Sequence, residues 1–409
     1  MFIINSDERR EARYQRRQAR RKKKLTDRNK AIGSIEDVFT FDELYQKGLK
    51  CCNGVRWKAS VQNFETALVT RTAKTQKELY DGTWKPRAYV KFSIFERGKT
   101  RYIEAPRIED RQVHKVFTQK VLWPLYLPFM IHNNGASLPG KGLDFTRRLL
   151  KKELADHIRN YGLNGEIIVF DFSQYFPSVS HELLLERHKK LIFDERLRSI
   201  ADEVVTSTAG DIGLPLGVEP SQAEMIAFPS PLDNFVKCQL GLKGAGHYMD
   251  DYYVLVPPDR DAKEIVSIIL DKIAELRLVV KPEKMRVTSF KKGFTFCKAR
   301  YRFTETGRIL VLPDKSVLRR NKRRLKKLRA KIDTGDATYA DAFASMNGML
   351  AHLAKFDSHK KLCELKRFAR SLSGFASYPE HERKVMAAQP LPSLFDDVGN
   401  FNPREVDYG

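Results

Sequence analysis

Four consecutive apolar residues, Ile167-Ile168-Val169-Phe170, end on a single carboxylate, Asp171. A continuous apolar run of this length is the pattern of a strand buried on both faces, and an ionised Asp at its end must be paired, hydrogen-bonded or bound to a cation. Further along, Tyr252-Tyr253-Val254-Leu255-Val256 has the β-branched and aromatic composition of a second strand, which Pro257-Pro258 ends. Asp250 and Asp251 precede it at a turn after Gly246-His247-Tyr248-Met249, which predicts a β-hairpin with acids at its tip. Successive strand side chains face opposite ways, so the two acids reach one point only if the turn re-aims one of them.

Alternation over residues 89–96, a turn at Arg97-Gly98-Lys99 and a return strand over 100–103 predict another hairpin, with basic residues near its tip. Helical signals are spread along the rest. A capping pattern at Thr40-Phe41-Asp42-Glu43 opens a helix through Leu49, and a second helical stretch covers 57–79 with Val61, Phe64 and Leu68 on one face. Asn134-Gly135 to Gly142 is a glycine-rich loop before a helix, suited to a template backbone and lacking a Walker pattern. Residues 261–278 carry Ile265, Ile268, Ile269, Ile273 and Leu276 on one side, fit to back a sheet. Three helices follow, at 315–331, 339–353 and 359–372; in the first, Leu318, Leu325 and Leu328 form a thin apolar seam on an otherwise cationic rod. Arg9, Arg13, Arg16, Arg17, Arg20 and Lys24 also fall at helical spacing, but without apolar companions such a helix has no core to dock on.

With 409 residues, 42% of them hydrophobic, the chain can form two or three domains with real cores. No apolar stretch approaches bilayer length, and Met1-Phe2-Ile3-Ile4-Asn5 turns charged too soon for a signal peptide, so the expectation is a cytoplasmic protein with no membrane partner. Cys51, Cys52, Cys238, Cys297 and Cys363 are odd in number and lack paired metal-ligand spacing, which predicts reduced thiols. The net charge of +23 points to a polyanion, and its distribution says where. Residues 1–30 hold 12 Lys/Arg against 4 Asp/Glu, and residues 315–331 hold 10 against none, so these segments supply +8 and +10 of the total. Nucleic acid contacts are therefore expected at Arg9, Arg13, Arg16, Arg17 and Arg20, and at Arg319, Arg320, Arg323 and Lys327.

Two buried strands that each deliver carboxylates near one point make an oxygen-only site for a hard cation, and Mg²⁺ suits it. Paired ions of this kind activate a 3′-hydroxyl and stabilise a pyrophosphate leaving group in phosphoryl transfer.

Tyr248-Met249-Asp250-Asp251, Asp171 with Phe176 five residues later, Leu214-Pro215-Leu216-Gly217-Val218-Glu219-Pro220-Ser221-Gln222, and Leu278-Val279-Val280-Lys281-Pro282-Glu283-Lys284 match four palm motifs, in the expected order, of one family. On these residues the chain resembles the reverse transcriptases, over about residues 91–360. The resemblance implies an α+β right-hand polymerase: a basic arm and helical N-terminal extension at 1–85, fingers at 86–165, a palm with inserted finger helices at 166–312, a three-helix thumb at 313–375 and a tail at 376–409. It implies that Asp171, Asp250 and Asp251, with Phe172, hold two Mg²⁺, for which Mn²⁺ could substitute, and that Lys284 is the general acid toward pyrophosphate.

By the same resemblance Arg101 and Lys99 grip the triphosphate, Phe176 is the steric gate against a 2′-hydroxyl with Tyr175 as the packing aromatic, and Gly217, Ser221 and Gln222 hold template and incoming base. The Ser221-Gln222 ending resembles diversity-generating and defence-associated bacterial enzymes, whereas intron and retron enzymes usually have Ser-Pro. Cys297-Lys298 departs from the Leu-Gly pair common in the primer grip. The implied function is RNA-directed DNA synthesis from dNTPs on an RNA template or dedicated non-coding RNA, in a bacterial or phage retroelement or antiphage-defence system, with an accessory protein or second copy as a further partner. No ribonuclease H-like acidic cluster, integrase or endonuclease zinc motif is evident. Two rival readings stay open: weakly templated or untemplated DNA synthesis in phage defence, and an inert RNA-binding scaffold, against which three converging acids speak.

Overall fold

In the computed structural model, which describes residues 6–96 and 99–372, the chain opens with α1 (Ser6–Ile32), exposed throughout residues 7–24. Its end is anchored: Leu25 and Ile32 pack on a core cluster, Asn29 Nδ2 donates to the Leu191 carbonyl at 3.0 Å, and Asn29 Oδ1 accepts from the Phe193 amide at 3.0 Å. The helix expected over residues 9–24 is exposed along that length, and it continues for two further turns that do dock. Next, α2 (Phe41–Cys52) is capped by Thr40, whose Oγ1 accepts from the Glu43 amide at 3.3 Å. The stretch expected as one helix over 57–79 is two, α3 (Ala59–Thr66) and α4 (Leu68–Tyr80). The break at Ala67 lets Val61 and Phe64 pack against Cys52, while Leu79 joins a different cluster with Ile35, Val38 and Trp84. One straight rod could not serve both.

The basic hairpin consists of β1 (Val90–Glu96) and β2 (Lys99–Ala105), antiparallel with Glu96 opposite Lys99; Arg97 and Gly98 lie outside the described residues. The Glu104 amide donates to the Leu216 carbonyl at 3.0 Å, tying the hairpin to the segment that precedes Gly217. Gly217 has a φ of +118°, and a Cβ there would stand 3.3 Å from Ile103 Cγ2 and 3.4 Å from the Glu104 carbonyl oxygen. Only glycine adopts this backbone cheaply at so close an approach.

After α5 (Ile108–Phe117), the glycine-rich loop leads into α6 (Leu143–Tyr161). Its backbone is committed inward: the His247 amide donates to the Asn133 carbonyl at 3.2 Å, and the Gly135 amide donates to the His247 carbonyl at 2.9 Å. The loop therefore extends a sheet edge. That sheet has the order β4-β5-β3-β6, from β3 (Glu166–Asp171), β4 (Ala245–Tyr248), β5 (Asp251–Val256) and β6 (Arg286–Ser289), with every neighbouring pair antiparallel. Both faces of β3 are covered, as its unbroken apolar run requires, and all four residues from Ile167 to Phe170 are buried. On one face, α7 (Ala262–Glu275) packs Ile265, Ile269 and Ile273 against Ile168, Phe170 and Val254. The short β7 (Phe294–Phe296) follows.

Two compact units divide the chain, Met1–Cys297 with Phe303–Ile309 and Lys298–Arg302 with Leu310–Gly409. Most of β8 (Ala299–Phe303) and β9 (Ile309–Pro313) thus clusters with α8 (Val317–Asp333), α9 (Tyr339–Ala354) and α10 (His359–Ser371), although the motif pattern groups those strands with the palm. The three helices share a core of Leu325, Met349, Leu353 and Leu365. All five cysteines are free thiols. Among the described residues no helix is long and apolar enough to cross a membrane.

Candidate active site

Asp171 ends β3 and Asp251 begins β5, and the two are direct cross-strand partners. Residues opposite one another in an antiparallel pair project to the same face, where like charges repel. Asp250 lies in the two-residue turn between β4 and β5, after Met249, whose φ is +56°. A β-strand geometry would send Asp250 away from its neighbour's face; the left-handed residue before it re-aims the carboxyl toward Asp171. Burial, and next the negative charge of Asp171, raise the Asp250 pKa above the ordinary carboxylate value. The Lys284 ammonium forms an ion pair with Asp171 Oδ2, so one cation already faces the acids. The Phe172 amide donates to the Asp250 carbonyl at 3.3 Å, and the Ser173 amide to the Val279 carbonyl at 2.6 Å, drawing three chain segments together at the strand end.

These donors are oxygens only, the chemistry that suits a hard divalent cation such as Mg²⁺. The Phe172 ring is buried and stacks on Tyr175 at 5.2 Å, which leaves its backbone carbonyl as the group it can offer. Among the described residues no three His, Cys, Asp or Glu side chains group tightly enough to hold a metal between them.

A cavity of about 600 Å³ is lined by Arg101 from β2 and by Phe176, Gly217, Gln222 and Met249. Ser221 is wholly buried beside it, its Oγ without a hydrogen-bond partner. Lys99 pairs with Glu96 through its backbone, and its side chain lies outside what is described. Tyr175 and Phe176 have separate situations: the Tyr175 hydroxyl donates to the Met225 carbonyl at 2.7 Å in the core, whereas the Phe176 ring borders the cavity.

Arg111 and His114 also line this cavity, one helical turn apart on α5, and sequence reasoning assigned neither a role. Their i, i+3 spacing was the available signal. Burial, with Arg111 adding to it, pushes the His114 pKa down to about 3, and both its ring nitrogens lack partners.

The basic residues stay at the surface. Arg9, Arg13, Arg16, Arg17 and Arg20 are exposed along α1, and Arg319, Arg320, Arg323 and Lys327 are exposed along α8 in the other unit. At the turn after β7, Cys297 and Lys298 have φ of +45° and +60°. Two successive left-handed residues are ordinarily Asn or Gly, and each non-glycine there costs on the order of 1 kcal/mol. The Cys297 carbonyl accepts from Arg147 Nη2 at 3.3 Å, which helps to hold the first of them.

Residues 85–316 match the family model of the reverse transcriptase (RNA-dependent DNA polymerase). No curated protein matches the chain. Among solved structures, a telomerase from Candida albicans in complex with a TWJ fragment of telomeric RNA is similar at a TM-score of 0.46 and 11% identity, over 80% of this chain and 70% of that one.

Proposed function

This chain belongs to the reverse transcriptase family, and from that premise we propose a right-hand polymerase in which the basic hairpin serves as fingers, the four-stranded sheet as palm and the helices of the second unit as thumb. As a reverse transcriptase it is a nucleotidyltransferase, an RNA-directed DNA polymerase with RNA as template and DNA as product. The observation that carries the site assignment is the meeting of Asp250 with Asp171 at the end of β3, opposite Asp251. Asp171, Asp250 and Asp251, with the Phe172 carbonyl, would hold two divalent cations, Mg²⁺ or Mn²⁺. Such ions supply the charge that activates a 3′-hydroxyl and offsets that of the departing pyrophosphate.

The chain's own groups do the rest. Arg101 and Lys99 bind the triphosphate, Gly217, Ser221 and Gln222 seat the nascent base pair, and Phe176 fills the volume that a 2′-hydroxyl would need. Lys284 donates a proton to the leaving pyrophosphate oxygen. A dedicated structured RNA is gripped by α1, whose charge a polymerase cleft does not require, and by α8. The Ser221-Gln222 pair favours a bacterial or phage defence or retroelement setting. Incubation with dNTPs and a primed RNA, followed by product sequencing, tests the reading. Complementary DNA that disappears with Asp250→Ala is expected; product unrelated to the template points to untemplated synthesis, and no product to a scaffold.

A further inference from the structure

Beneath the acidic turn lies a polar cluster that the reaction does not use. His247 on β4 and Asp233, in the short helix Ser230–Asn234, are both wholly buried at their side chains. His247 Nε2 is 3.1 Å from Asp233 Oδ2, and Nδ1 is 3.1 Å from the Met249 carbonyl. That carbonyl can only accept, so Nδ1 carries the proton between them. The Tyr252 hydroxyl donates to Asp233 Oδ1 at 3.1 Å, and the Tyr252 ring stacks on His247 at 4.5 Å with 3° between planes. Backbone bonds to Asn133 and Gly135 fix the β4 residue from the other side. The cluster therefore grips Met249, the left-handed residue that aims Asp250.

Burying an Asp and a His is expensive unless each is paired, and here the pairing converges on a strained turn rather than on solvent or packing alone. We propose that Asp233 and His247 are positioning residues that hold the Met249 carbonyl, and with it the turn, so that Asp250 meets Asp171 in cation-binding geometry. They touch neither nucleotide nor cation, and the inference rests on the polymerase reading above. Outer groups of this kind typically change cation affinity or activity by roughly 10- to 100-fold when removed.

The test uses the full chain and two readouts: dNTP incorporation, and Mn²⁺ binding followed by electron paramagnetic resonance. The double variant Asp233→Leu with His247→Phe keeps the stack on Tyr252 and removes both polar partners together. Its kcat should fall by roughly tenfold or more and its Mn²⁺ dissociation constant should rise by a similar factor. The KM for dNTP should move less than kcat, because Arg101, Phe176, Gly217 and Gln222 keep their places in the cavity lining and only Met249 is released. Asp233→Asn retains an acceptor for Tyr252 and a polar partner for Nε2, so it should stay near wild type in both readouts. A folded double variant with unchanged kcat and Mn²⁺ affinity overturns the proposal, as does an Asp233→Asn protein as damaged as the double. If the double variant does not fold, His247→Leu carries the same test, since it reaches neither Asp233 nor the Met249 carbonyl; intact kcat and Mn²⁺ affinity in it overturn the proposal. A wild-type chain without incorporation defeats the polymerase reading, while Mn²⁺ binding still decides the role of the pair.

Discussion

Asp250 and Asp171, 79 residues apart in the chain, share one half-buried corner in which the Asp171 carboxylate disfavours the charge of Asp250. That conflict is an expense in stability, and under the cation-binding role proposed above it is what two carboxylates serving one ion require.

Asp250→Asn should separate the two roles. Incorporation should fall by at least about a thousandfold, while the thermal midpoint rises, because a neutral amide relieves the burial and repulsion that raise the Asp250 pKa. Activity assays beside a thermal melt check this; near-normal incorporation in the folded variant would sink the cation assignment.

Sugar selection is expected to reside in Phe176. Phe176→Val should admit ribonucleotides, lowering discrimination by roughly tenfold or more. Tyr175→Phe removes the bond to the Met225 carbonyl and should cost about 1 kcal/mol of stability with selectivity intact. Competition between dNTP and rNTP decides, and the reverse pattern would move the gate by one residue.

A pH effect on stability should come from His188, which lies buried 2.7 Å from Asp202 Oδ1 and 3.1 Å from Glu224 Oε1. Burial lowers its pKa, but the charges and hydrogen bonds of Glu224 and Asp202 outweigh that and raise it from 6.5 to about 9. Since the folded value exceeds the unfolded one, this stabilisation is complete below pH 6.5 and is lost as pH rises through about 9. It is on the order of 3 kcal/mol. Thermal midpoints from pH 6 to 10 should decline more steeply for wild type than for His188→Gln; parallel curves would refute it.

Deleting residues 1–24 should weaken binding of copurified RNA and flatten its salt dependence, at roughly 0.7 to 0.9 per lost phosphate contact. Leu25, Asn29 and Ile32 keep the docked end of α1 in place, so extension of a generic primed template should survive. Equal losses for an unrelated RNA of the same length would leave only nonspecific charge, and no loss would make the arm a passive tail.

Much of this protein was determined by local chemistry that the sequence displays by itself. An unbroken apolar run ending in Asp171 can satisfy itself only as a strand covered on both faces, and β3 is one. Periodicity of apolar residues placed α7 and the three helices after residue 315 to within three residues at either end, because burial of one helical face is written in the residue types. The order of the acids, Phe176 and the basic segments along the chain was likewise legible. What the sequence could not contain is which distant group each polar side chain meets. Lys284 reaches Asp171 across 113 residues, Asn29 reaches Leu191 across 162, and Asp233 reaches His247 by way of a helix and a strand. The break at Ala67 and the left-handed turn at Met249 follow the same rule. Hydrophobic patterning states that a face is buried but not against what, and a polar group's partner is settled only when desolvation, strand register and backbone strain are resolved together in the folded chain.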